Sequence, residues 1–278
     1  MMKAKKRILR ILFYLCIIVF VLFAMGPIIW VFLCSVRPKS EFFNIPPTVL
    51  PKHWTFENYI HLFTDTQFSM FVLNSFIVTV FVVALTTLIS IMGAYSLARF
   101  TYRGRNFLAT FSLYAYFLPN VLLIIPLYLW FQKLGLVNTL YGLMLAYIAL
   151  CLPYCLWMLR SFVMTVPAEV EEAAAIDGAG RLRTLFTIVL PIIVPGIVAI
   201  SVYAFTLSWS EYIIALVMIS TDAKMTYPVG LNGFIGQFDT LWEFILTGSV
   251  LVSVPSLIIF LYTQKALIKG WGAGAVKG

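Results

Sequence analysis

The chain has 278 residues, of which 62% are hydrophobic and 11% are charged, and its mean hydropathy is +0.98. Soluble domains carry about 25% charged residues, so this composition excludes a soluble globular protein and indicates one embedded in a membrane. The formal net charge is +8. The basic residues flank long apolar runs, a distribution that indicates membrane topology and not a nucleic-acid partner.

Six long, mostly uncharged runs follow one another along the chain. Each can cross about 30 Å of hydrocarbon, which takes roughly 20 helical residues. None alternates apolar and polar residues, so helices are favoured over a membrane barrel, the other structure that satisfies backbone groups in lipid. The sequence predicts an all-α membrane protein, a polytopic bundle of six transmembrane helices in one domain over residues 1–278, with spans at about 11–36, 68–98, 106–131, 136–160, 192–218 and 244–264.

Lysine and arginine are distributed unevenly between the two sides that these spans define. Because the number of spans is even, both termini share a side, and the segments of that side hold 14 basic residues against five on the other. Cytoplasmic loops of membrane proteins are enriched in Lys and Arg. We therefore expect cytoplasmic N- and C-termini, a cytoplasmic helical coupling loop at 165–191 and a cytoplasmic tail at 265–278.

The longest segment between spans, at about 37–66, is predicted to lie on the outer side of the membrane. Four prolines in its first half favour an extended chain. The stretch TFENYIHLF that follows has apolar residues at helical spacing. We expect a helix at the outer interface, which acts either as a structural anchor, the interpretation we favour, or in direct contact with a ligand.

Proline occurs inside each of the last four predicted spans, at Pro119 and Pro126, Pro153, Pro195 and Pro255. A proline removes a helical hydrogen bond and tends to kink the helix. Kinked membrane helices are tolerated where neighbouring helices or a water-filled path satisfy the freed carbonyls. The prolines are compatible with a transporter, although plain helical bundles also contain them.

The predicted coupling loop lies between two apolar spans. Along it, acidic residues are followed by residues with small side chains and then by basic residues. Pro167 suits the first turn of a helix, and three glutamates follow where the helix dipole favours them: Glu169, Glu171 and Glu172. Glycine readily ends helices, so we expect a stop at Gly178 or Gly180 and a second helix from about residue 181. Such a helix–turn–helix could lie on the membrane, but anionic lipids attract Lys and Arg. The glutamates therefore favour a protein partner.

One acid and several polar side chains lie in or beside the predicted fifth span. Glu211 is either part of a transport path, since ionisable residues inside membranes are usually functional, or an interfacial group in contact with outer water. Aromatic and hydroxyl groups suit sugars, although aromatic residues also favour membrane interfaces and polar residues also join helices. The residues predicted to line the path are Tyr203, Thr206, Trp209, Ser210, Glu211, Asn74 and Asn120.

No motif for nucleotide hydrolysis or other catalysis is found. The chain lacks a G-x-x-x-x-G-K-[ST] phosphate loop, because the glycine-rich stretch at 272–278 has neither its spacing nor its hydroxyl residue. Its four cysteines show no metal-ligand spacing. We therefore predict that the chain is not an enzyme, holds no metal or cofactor, and receives energy from another chain.

The segment 172–191 follows the pattern EAA-x3-G-x9-I-x-LP at every defining position. This pattern resembles the coupling motif of permease subunits of bacterial ATP-binding-cassette (ABC) importers. Four further stretches resemble the carbohydrate-uptake (maltose-type) branch of that family: GAYSLARF at 93–100, VPAEVEEAAAIDGAG at 166–180, SWSEYIIAL at 208–216 and GAGAVKG at 272–278. Within that branch the chain is most similar to the second, shorter permease.

The resemblance implies a permease of the bacterial cytoplasmic membrane that forms half of a sugar pathway and alternates its access as an ATPase moves. The implied partners are a second, different permease, two copies of an ATPase that binds ATP and Mg, an extracytoplasmic sugar-binding protein and membrane lipid. ATPase docking is implied for Glu172, Ala173, Ala174, Asp177, Gly178, Ile188, Leu190 and Pro191, and contact of the tail with the ATPases for Gly272, Gly274 and Lys277. One departure is Ser210, where the family often has asparagine.

Other functions remain open at this stage. A gradient-driven secondary transporter or channel subunit would favour buried charge pairs or inverted repeats, and neither is seen. A membrane-embedded enzyme would need a catalytic polar cluster near one interface. The resemblance also admits an ABC importer permease for a non-sugar solute such as glycerol phosphate.

Overall fold

The computed structural model describes residues 2–42, 48–236 and 240–275. Within these ranges it is helical and contains no strand, only an isolated bridge between Ile235 and Thr240. This confirms the predicted all-α fold. The helices are α1 (Met2–Ser35), α2 (Glu57–Thr64), α3 (Phe68–Arg99), α4 (Arg105–Phe117), α5 (Asn120–Lys133), α6 (Leu140–Thr165), α7 (Ala168–Ile176), α8 (Arg181–Thr184), α9 (Leu190–Ile192), α10 (Val194–Ser210), α11 (Ile213–Met218), α12 (Tyr227–Asn232) and α13 (Trp242–Ala275).

Among the described residues, four helical segments are long and apolar enough to cross a membrane unbroken: Leu9–Ser35, Phe68–Arg99, Leu140–Thr165 and Trp242–Lys265. Two further candidates are bent pairs, α4 with α5 at 106° and Arg181–Ile192 with α10 at 81°. If each bent pair is counted as one span, the described residues contain six. The polytopic helical architecture predicted from the sequence is therefore confirmed.

The predicted third span, at about 106–131, is divided into two helices. Between α4 and α5, Leu118 and Pro119 are extended, with ψ of 127° and 123°. Pro119 has no N–H to continue the helix, and a proline disfavours helical backbone at the residue before it. Pro126 and Pro153 lie inside α5 and α6, so a proline in the sequence does not by itself identify a break.

The predicted fifth span, at about 192–218, is also interrupted. The chain enters it through a π-helical stretch at Leu185–Val189, turns by 81° before α10, and follows α10 to Ser210. Glu211 is extended, with φ −69° and ψ 128°, and α11 begins at Ile213. The sequence predicted one span here and gave no indication of the interruption at Glu211.

Contacts along the chain divide the protein into two compact units. Unit 1 holds residues 1–68 and 231–254. Unit 2 holds residues 69–230 and 255–278. In unit 1, α2 forms where a helix was expected in the outer segment. Its Asn58 donates hydrogen bonds to the carbonyl oxygens of Ser35 and Arg37, at 2.9 and 2.8 Å. These polar contacts attach α2 to the end of α1.

The centre of unit 2 is α6, which packs against α4 and α10. Its residues Tyr147, Leu159 and Val163 are fully buried. Lipid supplies no hydrophobic driving force between helices, so close van der Waals packing holds them together. Gly196 lets α10 approach α6, because a Cβ at this position would lie 2.5 Å from the ring of Phe162. α6 is therefore the frame on which the sites described below are built.

Candidate functional site

The loop between α6 and α10 forms the helix–turn–helix that the sequence predicts. α7 begins after Pro167 and ends at Ile176, and α8 begins at Arg181. The turn between them depends on Gly178, whose φ of +81° lies in the left-handed region. Glycine adopts this conformation without the steric cost that a Cβ would add. The glycine of the sequence motif therefore turns the chain at the end of α7.

One face of α7 is anchored inside the protein by Glu171. Its two carboxylate oxygens accept hydrogen bonds from the Tyr95 hydroxyl at 2.9 Å and from Arg99 Nε at 2.6 Å. Both donors lie on α3, one helical turn apart. The Arg99 and Glu171 side chains are only 17% and 13% exposed. Because the pair is largely removed from water, its charge-assisted bonds are stronger than those of an exposed ion pair.

Arg99 also binds the end of α6. Its Nη2 donates hydrogen bonds to the carbonyl oxygens of Val163 and Val166, at 3.0 and 2.6 Å. The last carbonyls of a helix have no partner within that helix, and a cation beside them is favourable. One guanidinium group therefore connects α3, the end of α6 and α7.

A second face of α7 is exposed and carries carboxylates without an internal partner. Glu172, Ala173 and Ile176 are exposed, and the exposed fraction of Ile176 is 87%. Glu172 and Ile176 are four residues apart and share a helix face. Glu172 makes no hydrogen bond or ion pair with any other described residue. This face offers another surface two carboxylates, those of Glu169 and Glu172, beside an apolar side chain.

The residues implied in ATPase docking do not all share this exposed face. Four of them are exposed on α7 or in its turn: Glu172, Ala173, Asp177 and Gly178. Ala174 is buried, with 8% exposure, because it lies on the anchored side of the helix, and it presents no side chain to a partner. The last motif positions lie beyond α8, in the π-helical stretch and α9: Ile188, Leu190 and Pro191. Sequence reasoning missed Ile176, whose signal was a large apolar residue one turn after Glu172.

A cavity of about 550 Å³ opens at the break between α4 and α5. Tyr116 of α4, Asn120 of α5 and Tyr203 of α10 line it. Tyr154 of α6 lies against both tyrosines, with its ring centroid 4.9 Å from Tyr116 and 4.2 Å from Tyr203. Two residues predicted for the path, Asn120 and Tyr203, therefore share one cavity. Tyr116 and Tyr154 were not predicted, since nothing in the sequence places them beside Tyr203.

Thr206 and Ser210, also predicted for the path, lie one turn apart on an exposed face of α10. Each hydroxyl donates to the carbonyl four residues earlier, at 2.8 Å for Thr206 and 2.6 Å for Ser210. A hydroxyl bound in this way can still accept a hydrogen bond from a ligand. Both side chains remain accessible to a solute or to another subunit.

Asn74 and Trp209, by contrast, are engaged in the packing of unit 2. Asn74 is buried and donates to the carbonyl oxygens of Ala223 and Met225, at 2.9 and 3.0 Å. Trp209 is 3% exposed and packs against Tyr227 with ring centroids 5.1 Å apart. Their side chains hold neighbouring segments of this unit together, and their part in a solute path stays a prediction.

Glu211, the remaining predicted path residue, caps the helix that follows it. Its carboxylate accepts hydrogen bonds from the N–H groups of Ile214 and Ala215, at 2.9 and 3.1 Å, and from the Tyr147 hydroxyl at 2.9 Å. The first N–H groups of a helix have no partner within it. The Glu211 side chain satisfies donors that the interruption would leave unpaired, and so allows the helix to break here.

Outside the spans, Glu41 of unit 1 organises the segment before α2. Its carboxylate accepts hydrogen bonds from the N–H groups of Lys52 and His53, both at 2.9 Å, and lies 2.9 Å from His53 Nδ1. The bond from Lys52, with those from His53, lowers the pKa of the Glu41 carboxyl below its usual value. Among the described residues, no group of three or more His, Cys, Asp or Glu side chains is arranged to hold a metal ion.

The residues implied in the C-terminal tail lie at the edge of the described structure. Gly272 and Gly274 belong to α13, which runs to Ala275. Lys277 lies outside the described residues. The contact of this tail with an ATPase stays a prediction.

Comparisons with known sequences identify one class of protein. The model of the family described as "binding-protein-dependent transport system inner membrane component" matches residues 86–270. The sulfoquinovosyl glycerol transport system permease protein SmoH of Agrobacterium fabrum is 35% identical to this chain over 91% of the chain and 88% of its own length. The trehalose/maltose transport system permease protein MalG of Thermococcus litoralis is 33% identical over 97% of each protein.

A solved structure shares the fold. It is a chain of a bacterial ABC transporter involved in the import of the acidic polysaccharide alginate, and it superposes with a TM-score of 0.82. The match covers 94% of this chain and 97% of that one at 23% sequence identity. At this identity the likeness establishes the arrangement of helices, while the family match rests on the sequence itself.

Proposed function

Because the chain belongs to the family of binding-protein-dependent transport system inner membrane components, we propose that it is a permease subunit of an ATP-driven sugar importer. It is a multi-pass inner-membrane protein, and its relatives are transport permeases. Sugars are supported by relatives named for sulfoquinovosyl glycerol and for trehalose and maltose. Family membership disfavours a gradient-driven transporter, and a permease for glycerol phosphate remains the competing proposal.

The proposed assembly contains a second, different permease, two ATPase subunits that bind ATP and Mg, and an extracytoplasmic sugar-binding protein. The description of the family supports a binding-protein partner. No residue of α5 is buried within the chain, which supports another subunit or lipid against this helix. The 14 basic residues on one side of the predicted spans support cytoplasmic termini and an ATPase that approaches α7 from the cytoplasm.

The observation that carries the coupling proposal is the two-faced arrangement of α7. Glu172 is exposed without a partner, whereas its neighbour Glu171 is held by α3. A free carboxylate beside exposed Ile176 suits a partner that offers a basic residue next to an apolar pocket. An ATPase docked on this face would move α7, and the anchored face would pass the movement into the bundle.

Glu172→Lys in the complete importer tests this docking role. Charge reversal replaces attraction by repulsion, so we expect co-purified ATPase and ATP-driven uptake to fall by about tenfold or more. Asp222→Lys is the control, because Asp222 is exposed between α11 and α12, outside α7, and its side chain has no hydrogen bond or ion pair among the described residues. Unchanged ATPase recovery and uptake for Glu172→Lys, with the subunit present in the membrane, would contradict the proposal.

The solute path is proposed to include the tyrosine-lined cavity. Its volume of about 550 Å³ lies within the range of about 300–1,000 Å³ that is typical of small-molecule sites. Sugars present ring faces that pack on aromatic side chains and hydroxyls that need hydrogen-bond partners. Tyr116 and Tyr203 offer both kinds of group, and their hydroxyls have no hydrogen bond with other described residues. Asn120 adds an amide at the same opening.

Tyr203→Phe and Tyr203→Ala test this path with saturating binding protein and a panel of labelled sugars and glycerol phosphate. The first change removes a hydroxyl and the second also removes the ring. We expect the maximal sugar uptake rate to fall about threefold and then about tenfold. Tyr262→Ala is the control, since Tyr262 is 83% exposed and lies outside the cavity. Equal rates for Tyr203→Ala and the control would contradict the path, and selective uptake of glycerol phosphate would contradict the sugar assignment.

A further inference from the structure

We propose that Arg99 and Glu171 form a joint that passes movement of α7 to α3 while it holds the end of α6. The inference rests on the proposed coupling function and adds the residues that would transmit the movement. It assigns the two adjacent glutamates of α7 separate tasks: Glu172 faces the ATPase, and Glu171 faces the bundle. Arg99 and Glu171 act as positioning residues, because their hydrogen bonds join them to one another, to Tyr95 and to the end of α6.

The rigid shape of the guanidinium group links the contacts of Arg99 to one another. Nε binds Glu171 at 2.6 Å, and Nη2 binds the carbonyl oxygens of Val163 and Val166. The donors of an arginine lie in one plane and cannot move independently. Displacement of Glu171 must therefore either rotate Arg99 away from the end of α6 or carry α3 and α6 with it.

Tyr95 holds the same carboxylate from a second position on α3. Its hydroxyl donates to the other oxygen of Glu171 at 2.9 Å, one helical turn before Arg99. Two donors spaced along one helix fix both the place and the orientation of Glu171 against α3. The start of α8 meets the same end of α3, because the Arg181 guanidinium lies 4.7 Å from the centroid of the Phe100 ring.

The polypeptide itself does not provide a comparable link from α7 to α3. Glu171 and Arg99 are 72 residues apart in sequence. Beyond α7 the chain passes through Gly178 and Gly180, and glycine permits a wide range of backbone conformations. On the other side, α7 is joined directly only to α6. Movement of α7 therefore reaches α3 through side-chain contacts, which include the Arg99–Glu171 ion pair.

The test uses the complete importer in vesicles, with its second permease, ATPases and binding protein, and measures solute taken up per ATP hydrolysed. Glu171→Gln keeps the shape of the side chain and removes its charge. We expect the ATPase to be recovered in the usual amount and uptake per ATP to fall about tenfold. Asp222→Asn, which removes one exposed carboxylate outside α7, is the control and should leave the ratio unchanged. Arg99→Lys, which keeps the charge without the planar fork, should give an intermediate loss.

Tyr95→Phe gives a second test that does not depend on how Glu171→Gln folds, because it removes one hydroxyl and keeps the ring. Uptake per ATP should fall about threefold. An unchanged ratio in either variant overturns the joint and leaves the proposed function intact. Loss of the ATPase from Glu171→Gln also overturns it, since Glu171 would then act in docking. Absence of ATP-driven uptake in the unmodified importer overturns the proposed function, and the joint with it.

Discussion

The carboxylates of Glu171 and Glu211 lie near opposite ends of α6 and accept hydrogen bonds from different kinds of donor. Glu171 is bound by Tyr95 and Arg99, side chains of a helix that is distant in sequence. Glu211 is bound by the Tyr147 hydroxyl and by two N–H groups of the helix that directly follows it. The first arrangement can transmit movement between helices, whereas the second stabilises an interruption within one span. Similar hydrogen-bonding chemistry thus serves coupling at one end and local structure at the other.

The largest effect in this comparison is expected for Arg99→Ala. It leaves the largely shielded Glu171 carboxylate without a cation, and two carbonyl oxygens at the end of α6 without this donor. Breaking a fully buried pair costs about 3–5 kcal/mol, and because this pair is 13–17% exposed the loss should lie at or below the lower end of that range. We expect this loss in the free energy of unfolding, measured by denaturant titration of the detergent-solubilised subunit, and a smaller one for Arg99→Lys. Equal stabilities for the two variants would mean that the charge pair does not hold α7.

Glu211→Ala is expected to have a smaller effect. It removes the acceptor for two N–H groups of α11 and for the Tyr147 hydroxyl, which costs about 1–3 kcal/mol. Glu211→Gln keeps one acceptor oxygen and should cost less. The comparison with Glu171 is sharpened by measuring uptake per ATP: Glu211→Gln should leave this ratio near that of the unmodified importer. A loss as large as that of Glu171→Gln would remove the distinction between the two ends of α6.

The smallest expected effect on stability is that of Glu41. Like Glu211, its carboxylate accepts hydrogen bonds from backbone N–H groups, but it lies outside the spans. Its bonds to Lys52 and His53 lower the folded-state pKa. Glu41 therefore stabilises the fold above its unfolded pKa of about 4.3, and this contribution is lost as the pH falls through the lowered folded value. The stability difference between the unmodified protein and Glu41→Gln should shrink between neutral and strongly acidic pH. A constant difference across that range would contradict the assignment.

Local signals in the sequence were sufficient where backbone chemistry decides the structure. Pro167 and Gly178 set the start and the turn of α7, because a proline suits a first turn and only glycine adopts φ +81° without strain. The break at Pro119 was only partly foreseen. Pro126 and Pro153 look equivalent in the sequence and remain inside helices, because the packing around each proline decides how far the helix is disrupted.

The roles of individual polar residues could not be derived from the sequence, because they depend on long-range contacts. Which glutamate of α7 faces inward is set by Arg99, 72 residues away. Asn74 suited a solute path by its chemistry, yet it binds a carbonyl 149 residues later. Glu211 was predicted for the path because a charged residue inside a membrane is usually functional. The structure gives it a capping task that depends on the interruption itself.

The most direct test of the two-faced α7 is the accessibility of Ile176→Cys to a membrane-impermeant maleimide. The protein would first be freed of its four native cysteines, and labelling would be measured in inside-out vesicles with and without bound ATPase. Ala174→Cys, on the buried side, is the control and should react slowly in both states. We expect Ile176→Cys to react rapidly in stripped vesicles and about tenfold more slowly once the ATPase is bound. Equal labelling with and without the ATPase would contradict docking on this face.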